Sequence, residues 1–168
     1  ENGDRAVRKY TSEFDGVKLK KLRVTASEIN KAAILIPEEL RSAIRQAKEN
    51  ITRFHETQRE AITVTETLPG IRCWRQSLPI EKAGLYIPGG TAPLFSTVLM
   101  LAIPARLAGC SEIVLCTPPS KDGTVHPAIL FAASLCGVTQ IFKAGGVQAI
   151  GAMAYGTVSI PKVFKIFG

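Results

Sequence analysis

Two glycine-rich stretches carry the residues best suited to binding chemistry. "GLYIPGG" spans residues 84–90 and "AGGVQAIG" spans residues 144–151. Glycine lets a backbone approach a ligand closely, and N–H groups at the start of a helix attract anions such as a pyrophosphate. Glycine pairs also form tight turns, and neither stretch matches the G-x-G-x-x-G or P-loop lysine pattern. On pattern alone, a ligand loop and a simple turn are both open.

The spacing of the cysteine and histidine residues does not match a metal-binding pattern. The cysteines form no C-x-x-C pair and stand at positions 73, 110, 116 and 136. The two histidines, His55 and His126, lie far apart, so the sequence predicts no metal site. His126 precedes a proline and is predicted to cap a helix. Cys110 and Cys116 flank an apolar strand, so we expect buried, reduced thiols in a cytoplasmic protein.

Charge is distributed unevenly along the 168 residues, which carry a net charge of +7. Residues 1–82 hold 16 Lys and Arg with 12 Asp and Glu, whereas residues 83–168 hold only 5 and 2. This shift predicts a boundary near residue 83, with one region on each side. In the first region the two signs of charge are interleaved without stacking aromatics, which argues against nucleic-acid binding. Polar residues and prolines interrupt the apolar run 92–108, which argues against a membrane span.

The first region is predicted to be helical and then to form a hairpin. A stripe of Val7, Tyr10 and Phe14 predicts an amphipathic first helix. "TASE" at 25–28 is a capping box for a second helix, and Pro37 suits the start of a long third helix.

A β-hairpin is predicted at residues 62–67 and 70–77. Pro69 and Gly70 suit a type II turn between its strands. We expect Trp74 to pack under the long helix.

The second region alternates short apolar strands with helical runs. The strands are predicted at 85–87, 113–116, 140–143 and 163–167, and the helical runs at 93–108, 127–136 and 147–155. This alternation predicts an α/β fold, a parallel open sheet with flanking helices. Pro104 predicts a kink or two short helices in the first run. Ligands of such sheets bind beyond the carboxyl ends of the strands, here at loops Pro88–Thr91, Thr117 onward and Ala144–Gln148. In each glycine-bearing loop the Gly-Gly pair precedes a helix, so backbone N–H groups and the positive end of the helix dipole are expected to face the crevice.

The chain resembles the histidinol dehydrogenase family over almost its whole length. The matching stretches are "GDRAVRKYTSEFDG", "NITRFHETQ", residues 69–110 with the "GLYIPGG" motif, "IVLCTPP" and "FKAGGVQAIGAMAYGT". The fold that this resemblance implies is an incomplete dinucleotide fold of the aldehyde-dehydrogenase-like type. The activity that it implies is the oxidation of L-histidinol through the aldehyde to L-histidine, with two NAD reduced. The family also implies zinc, a homodimer and histidine biosynthesis.

The resemblance places two cofactor contacts in this chain. The family's NAD-contacting tyrosine falls at Tyr86 and its glutamine at Gln148. The Tyr86 hydroxyl or ring could contact the cofactor, and the Gln148 amide suits ribose hydroxyls or a carboxamide. The glycines would admit the cofactor to the backbone. The predicted cofactor-binding residues are therefore Tyr86, Pro88, Gly89, Gly90, Gly145, Gly146 and Gln148.

The family pattern continues beyond Gly168, with a Pro-Gly-Asn motif, the zinc ligands, a Glu-His acid-base pair and the histidinol-binding residues. We therefore expect a truncated chain and assign it no catalytic residue and no zinc ligand. Two alternatives stay open. An aldehyde-dehydrogenase-like enzyme would need a nucleophilic cysteine in a reactive loop, and a non-catalytic nucleotide-binding module would need only the fold.

Overall fold

The computed structural model describes residues 2–90 and 92–168. Thr91, the last residue of the predicted loop 88–91, lies outside the described residues. The helices are α1 (Gly3–Tyr10), α2 (Ala26–Leu35), α3 (Glu38–Glu56), α4 (Phe95–Leu107), α5 (Pro127–Leu135) and α6 (Gly146–Tyr155). The strands are β1 (Val64–Leu68), β2 (Ile71–Trp74), β3 (Lys82–Tyr86), β4 (Glu112–Thr117), β5 (Gln140–Lys143) and β6 (Lys165–Phe167).

In the described part of the chain, β3 to β6 form one parallel sheet in the order β5-β4-β3-β6. This confirms the predicted α/β fold with an open parallel sheet. Alternate residues of β4 enter separate cores, with Leu115 on one face and Cys116 on the other. Helices cover both faces, which explains why the charged residues of these strands stand only at strand ends, as do Lys82, Glu112, Lys143 and Lys165.

The helices of the first region pack on the helices of the second. α2 contacts α5, α3 contacts α4, and α1 contacts α6. The capping box is confirmed, because Thr25 Oγ1 accepts from the Glu28 N–H at 3.3 Å and a Glu28 carboxylate oxygen accepts from the Thr25 N–H at 2.8 Å. His126 caps α5 as predicted, its Nδ1 accepting from the Ala128 N–H at 3.2 Å. The division into residues 1–82 and 83–168 stays a prediction.

The segment around Arg23 extends the sheet in a way that the sequence did not predict. Arg23 pairs antiparallel with Phe142 of β5. The Val24 N–H donates to the Ile141 carbonyl at 2.9 Å, and the Lys143 N–H donates to the Leu22 carbonyl at 2.7 Å. This segment therefore covers the outer edge of β5, which an open sheet would otherwise leave unpaired.

The hairpin is shorter than predicted and its packing differs. Gly70 has φ +83°, which suits the predicted turn. The prediction that Trp74 packs under the long helix is wrong, because 58% of the residue is exposed. All residues of β1 and β2 are exposed, so neither face of the hairpin offers the ring a core.

Two helix predictions also need correction. The alternative of two short helices at Pro104 is wrong, because α4 runs unbroken from Phe95 to Leu107 with the proline three residues before its end, whereas the predicted kink stays a prediction. There it removes a single backbone donor, and its carbonyl still accepts from Ala108 at 2.8 Å. The predicted stripe of the first helix is buried only at Val7, since a π-helical turn (Thr11–Asp15) follows α1 and leaves Phe14 exposed.

No helix within the described residues has the length and apolar character to cross a membrane.

Candidate functional site

The loops that follow β3 and β4 meet at the carboxyl edge of the sheet. They enclose an open cleft of about 390 Å³, lined by Pro88, Gly89 and Gly90 of the first loop and by Thr117 to Lys121 of the second. Asp15, from the π-helical turn, lines the same cleft. The predicted crevice therefore exists at two of the three loops, and the N-terminal segment forms part of its wall.

Gln148 lines a second cleft, of about 350 Å³, between α1 and α6. The seven predicted residues thus do not all line a single cavity. The two clefts are linked through Asp15, which lines the first and hydrogen-bonds Gln148 of the second, whereas Tyr86, Gly145 and Gly146 line neither.

Tyr86, the last residue of β3, reaches across to α6. Its hydroxyl oxygen accepts a hydrogen bond from the Gly146 N–H at 2.9 Å. This contact joins the two glycine-rich stretches and uses one of the N–H groups that a helix start leaves without an intrahelical partner. The half-buried ring also packs against the core cluster on the α6 side of the sheet.

The Pro118 ring lies close to the backbone of both glycine loops. A Cβ atom on Gly89 would lie 2.6 Å from Pro118 Cγ, and one on Gly145 would lie 2.6 Å from Pro118 Cβ. Both distances are below van der Waals contact, so neither position accommodates a side chain while the proline ring stays in place. Gly90 differs, because no described atom lies within 4 Å of its Cβ position.

The two Gly-Gly pairs differ in their relation to helices. Gly145 caps α6, and Gly146 has φ +51°, a left-handed conformation that favours glycine. Gly89 and Gly90 precede α4, as predicted, but they do not cap it, because its N-cap is Leu94. Their backbone lines the cleft.

Charged groups in this cleft come from the N-terminal segment and from the loop after β4. Lys121 Nζ donates to the Asp15 carbonyl oxygen at 2.9 Å. Burial raises the pKa of the Asp15 carboxyl above its usual value, and the positive charge of Lys121 opposes that shift. Hydrogen bonds from Thr124 lower the pKa of Asp122 on the same loop.

The buried cysteines are packing residues. Burial raises the pKa of Cys116 to about 12 and that of Cys136 to about 11, so both stay protonated near neutral pH. Cys110 is also buried, and Cys73 lies exposed on the hairpin. A thiol nucleophile needs an accessible thiolate, and the buried thiols do not supply one.

Across residues 2–90 and 92–168, no three His, Cys, Asp or Glu side chains gather in a group that could hold a metal ion.

Sequence reasoning missed Asp15, Pro118 and Lys121. Each acts through a partner far away in the sequence, such as Asp15 with Gln148. The only local signals were the Asp-Gly pair at 15–16 and the Pro-Pro pair after β4, and both also occur in ordinary turns.

An open parallel sheet, with helices on both faces and a crevice at its carboxyl edge, defines an α/β protein of the kind that binds ligands at strand ends. A family model for histidinol dehydrogenase matches residues 1–168. The chain belongs to the histidinol dehydrogenase family.

Individual relatives agree with this family. The chain is 65% identical over 166 residues to histidinol dehydrogenase of Bacteroides thetaiotaomicron, covering 99% of this chain and 39% of that protein. It is 51% identical to the Salmonella typhimurium protein, over 99% of this chain and 37% of that one. A crystal structure of histidinol dehydrogenase from Elizabethkingia anophelis superposes with a TM-score of 0.95 at 54% identity, covering 98% of this chain and 38% of that one. The chain thus spans about two fifths of the length of these relatives.

Proposed function

We propose that this chain is part of an NAD-dependent dehydrogenase that oxidises L-histidinol to L-histidine through the aldehyde, in histidine biosynthesis. Its share of the activity is to build part of the NAD site. The observation that carries this proposal is the Tyr86–Gly146 hydrogen bond, which joins two glycine-rich loops at the ligand-binding edge of the sheet. Membership of the histidinol dehydrogenase family supports the substrate and the reaction.

The site offers several groups that fit NAD. Gln148 is 7% exposed, and its Oε1 has no hydrogen-bond partner among the described residues. A buried acceptor of this kind suits a donor group of a ligand. The uncovered backbone at Gly90 lines the neighbouring cleft without side-chain obstruction. When bound, NAD supplies the hydride acceptor.

In the proposed site, residues of this chain bind the cofactor and set its orientation. Tyr86 fixes the start of α6, because its hydroxyl holds the Gly146 N–H. Gln148 then presents its amide from a rigid helix, and Pro88, Gly89, Gly90 and Gly145 shape the loops around the cofactor. Because a helix holds a side chain more accurately than a loop does, this arrangement favours one cofactor orientation.

Zinc, which the family implies, does not fit the described residues. Their His, Cys, Asp and Glu side chains form no group of ligands that could hold the metal. Its ligands and the acid-base residues are proposed to belong to other parts of the full-length enzyme.

We further propose a cytoplasmic homodimer. The free cysteines support a reducing compartment. The exposed apolar side chains of the hairpin, including Leu68 and Trp74, support a surface that is covered in the assembled enzyme.

Histidinol-dependent formation of NADH tests the proposed reaction. A form of the chain extended to the length of its relatives should reduce NAD when L-histidinol is added. The 168-residue chain alone should show no turnover, even with NAD and zinc present. Robust turnover by the chain alone would contradict our placement of the chemistry, and an inactive extended enzyme would contradict the proposed reaction.

Tyr86→Phe should weaken NAD binding by about three- to ten-fold, because one hydrogen bond to the start of α6 is lost. Titration calorimetry of NAD into the extended enzyme measures the change. Thr57→Val is the control, since it also removes a hydroxyl that makes one hydrogen bond, to the Phe54 carbonyl, and Thr57 lines neither cleft. Equal NAD affinity in the two variants would show that the Tyr86 hydroxyl does not order the site.

A further inference from the structure

Asp15 connects the N-terminal segment to the proposed NAD site. The carboxylate oxygen Oδ2 of Asp15 accepts a hydrogen bond from Gln148 Nε2 at 3.3 Å. The two residues are 133 positions apart, and the π-helical turn that ends at Asp15 brings them together. Turns of this type are rare and recur at functional sites.

The contact fixes the orientation of the Gln148 amide. An ionised carboxylate only accepts hydrogen bonds, so the NH₂ group of the amide must face Asp15. The amide carbonyl oxygen, Oε1, must then point the other way. That oxygen lies 3.1 Å from the position of a Cβ on Gly146, and it has no partner among the described residues. It is therefore a buried acceptor held beside the start of α6.

Asp15 is itself held in place from its carboxyl-terminal side. Gly16 adopts φ +70°, and Lys121 Nζ lies 3.3 Å from its Cβ position. The same ammonium group donates to the Asp15 carbonyl oxygen at 2.9 Å. The backbone of Asp15 is thus fixed by the loop after β4, while its side chain contacts α6.

We propose that Asp15 is a positioning residue of the NAD site, which orients the Gln148 amide so that Oε1 accepts a hydrogen bond from the cofactor. The donor would be a hydroxyl or carboxamide N–H group. This inference rests on the proposed function, because it requires that Gln148 contacts NAD. Asp15 itself acts through Gln148.

A double-mutant cycle in the extended enzyme tests this role. Asp15→Ala and Gln148→Ala should each raise the Kd for NAD by about five- to ten-fold. Because Asp15 acts through Gln148, the double variant should bind NAD no more weakly than Gln148→Ala alone. The KM for NAD should rise in parallel, with kcat and the KM for histidinol nearly unchanged.

Two further variants separate positioning from folding. Glu13→Ala, an exposed carboxylate in the same π-helical turn, should leave the Kd for NAD unchanged. Asp15→Asn keeps a hydrogen-bond acceptor but allows the Gln148 amide to flip, so it should weaken NAD binding by only about two- to three-fold. This loss of affinity should also vanish in the Gln148→Ala background. This variant preserves the test if Asp15→Ala does not fold.

The outcomes distinguish the positioning role of Asp15 from the contact between Gln148 and NAD. Additive effects of the Asp15 and Gln148 substitutions would overturn the positioning role while leaving NAD at Gln148. An unchanged Kd in Gln148→Ala would overturn both this inference and the proposed cofactor contact.

Discussion

Gly89→Ala should lower the free energy of unfolding by about 1–3 kcal/mol, and Pro118→Ala in the same chain should remove most of that loss. The added Cβ would lie 2.6 Å from Pro118 Cγ, but 3.7 Å from Pro118 Cβ. Alanine at position 118 retains only the Cβ, which is at an ordinary contact distance. Chemical denaturation of the four chains of this cycle measures the coupling between the two sites.

Gly145→Ala should lower the free energy of unfolding by a similar amount, but Pro118→Ala should not restore the lost stability. At this position the close atom is Pro118 Cβ at 2.6 Å, which alanine keeps. Pro118→Gly should give partial recovery, because Pro118 Cα would still lie 3.3 Å away. Gly90→Ala is the control without a steric neighbour and should unfold within about 1 kcal/mol of the parent chain. If Gly89→Ala lowered the free energy of unfolding equally with proline and with alanine at position 118, the steric contact with Pro118 would be contradicted.

Glu28→Ala should lower the free energy of unfolding by about 2–3 kcal/mol. Glu28 completes the capping box of α2 and also accepts from Lys143 Nζ at 2.5 Å. The substitution removes the cap and leaves the Lys143 ammonium, whose side chain is 11% exposed, without its carboxylate. Breaking a fully buried pair costs roughly 3–5 kcal/mol, and the 30% exposure of the Glu28 side chain reduces that amount.

The Glu28 contribution should depend on pH in a defined direction. Burial opposes ionisation of Glu28, but hydrogen bonds from Lys143 and Thr25 outweigh it and lower the pKa of the carboxyl below 4.5. The unfolded chain then binds a proton at higher pH than the folded chain does. The stabilisation is therefore complete above pH 4.5 and is lost as the pH falls through the folded pKa.

Denaturation of Glu28→Gln and of the parent chain across this pH range tests the direction. The difference between them should shrink as the solution is acidified. Glu39→Gln, at an exposed glutamate in the first turn of α3, is the matched control for the loss of a surface carboxylate. A difference between parent and Glu28→Gln that grows on acidification would contradict the ion pair.

Local signals were sufficient for much of the fold. The capping box at Thr25 and Glu28, the turn at Gly70 and the cap at His126 each depend on residues within a few positions of one another. The parallel sheet followed from strands that are apolar on both faces, since only cover on both sides accommodates such strands.

The failures share a cause, which is that burial depends on distant parts of the chain. Trp74 is large and apolar, yet both faces of its hairpin are exposed. Asp15 and Pro118 were missed because their partners, Gln148 and the two loop glycines, lie in other segments. The two short helices predicted at Pro104 failed for another reason, since α4 continues to Leu107 despite the loss of one backbone donor.

The pairing of Arg23 with Phe142 has a consequence during synthesis on the ribosome. Leu22, which is 1% exposed in the folded chain, leaves the ribosome before β5 and has no strand to join until β5 has been made. At about 5–20 residues per second, the intervening roughly 120 residues take about 6–24 s. During that interval the nascent chain carries this strand-forming segment without its partner. The basic residues around it, Lys18, Lys20, Lys21 and Arg23, give that segment a charge that disfavours association between neighbouring nascent chains.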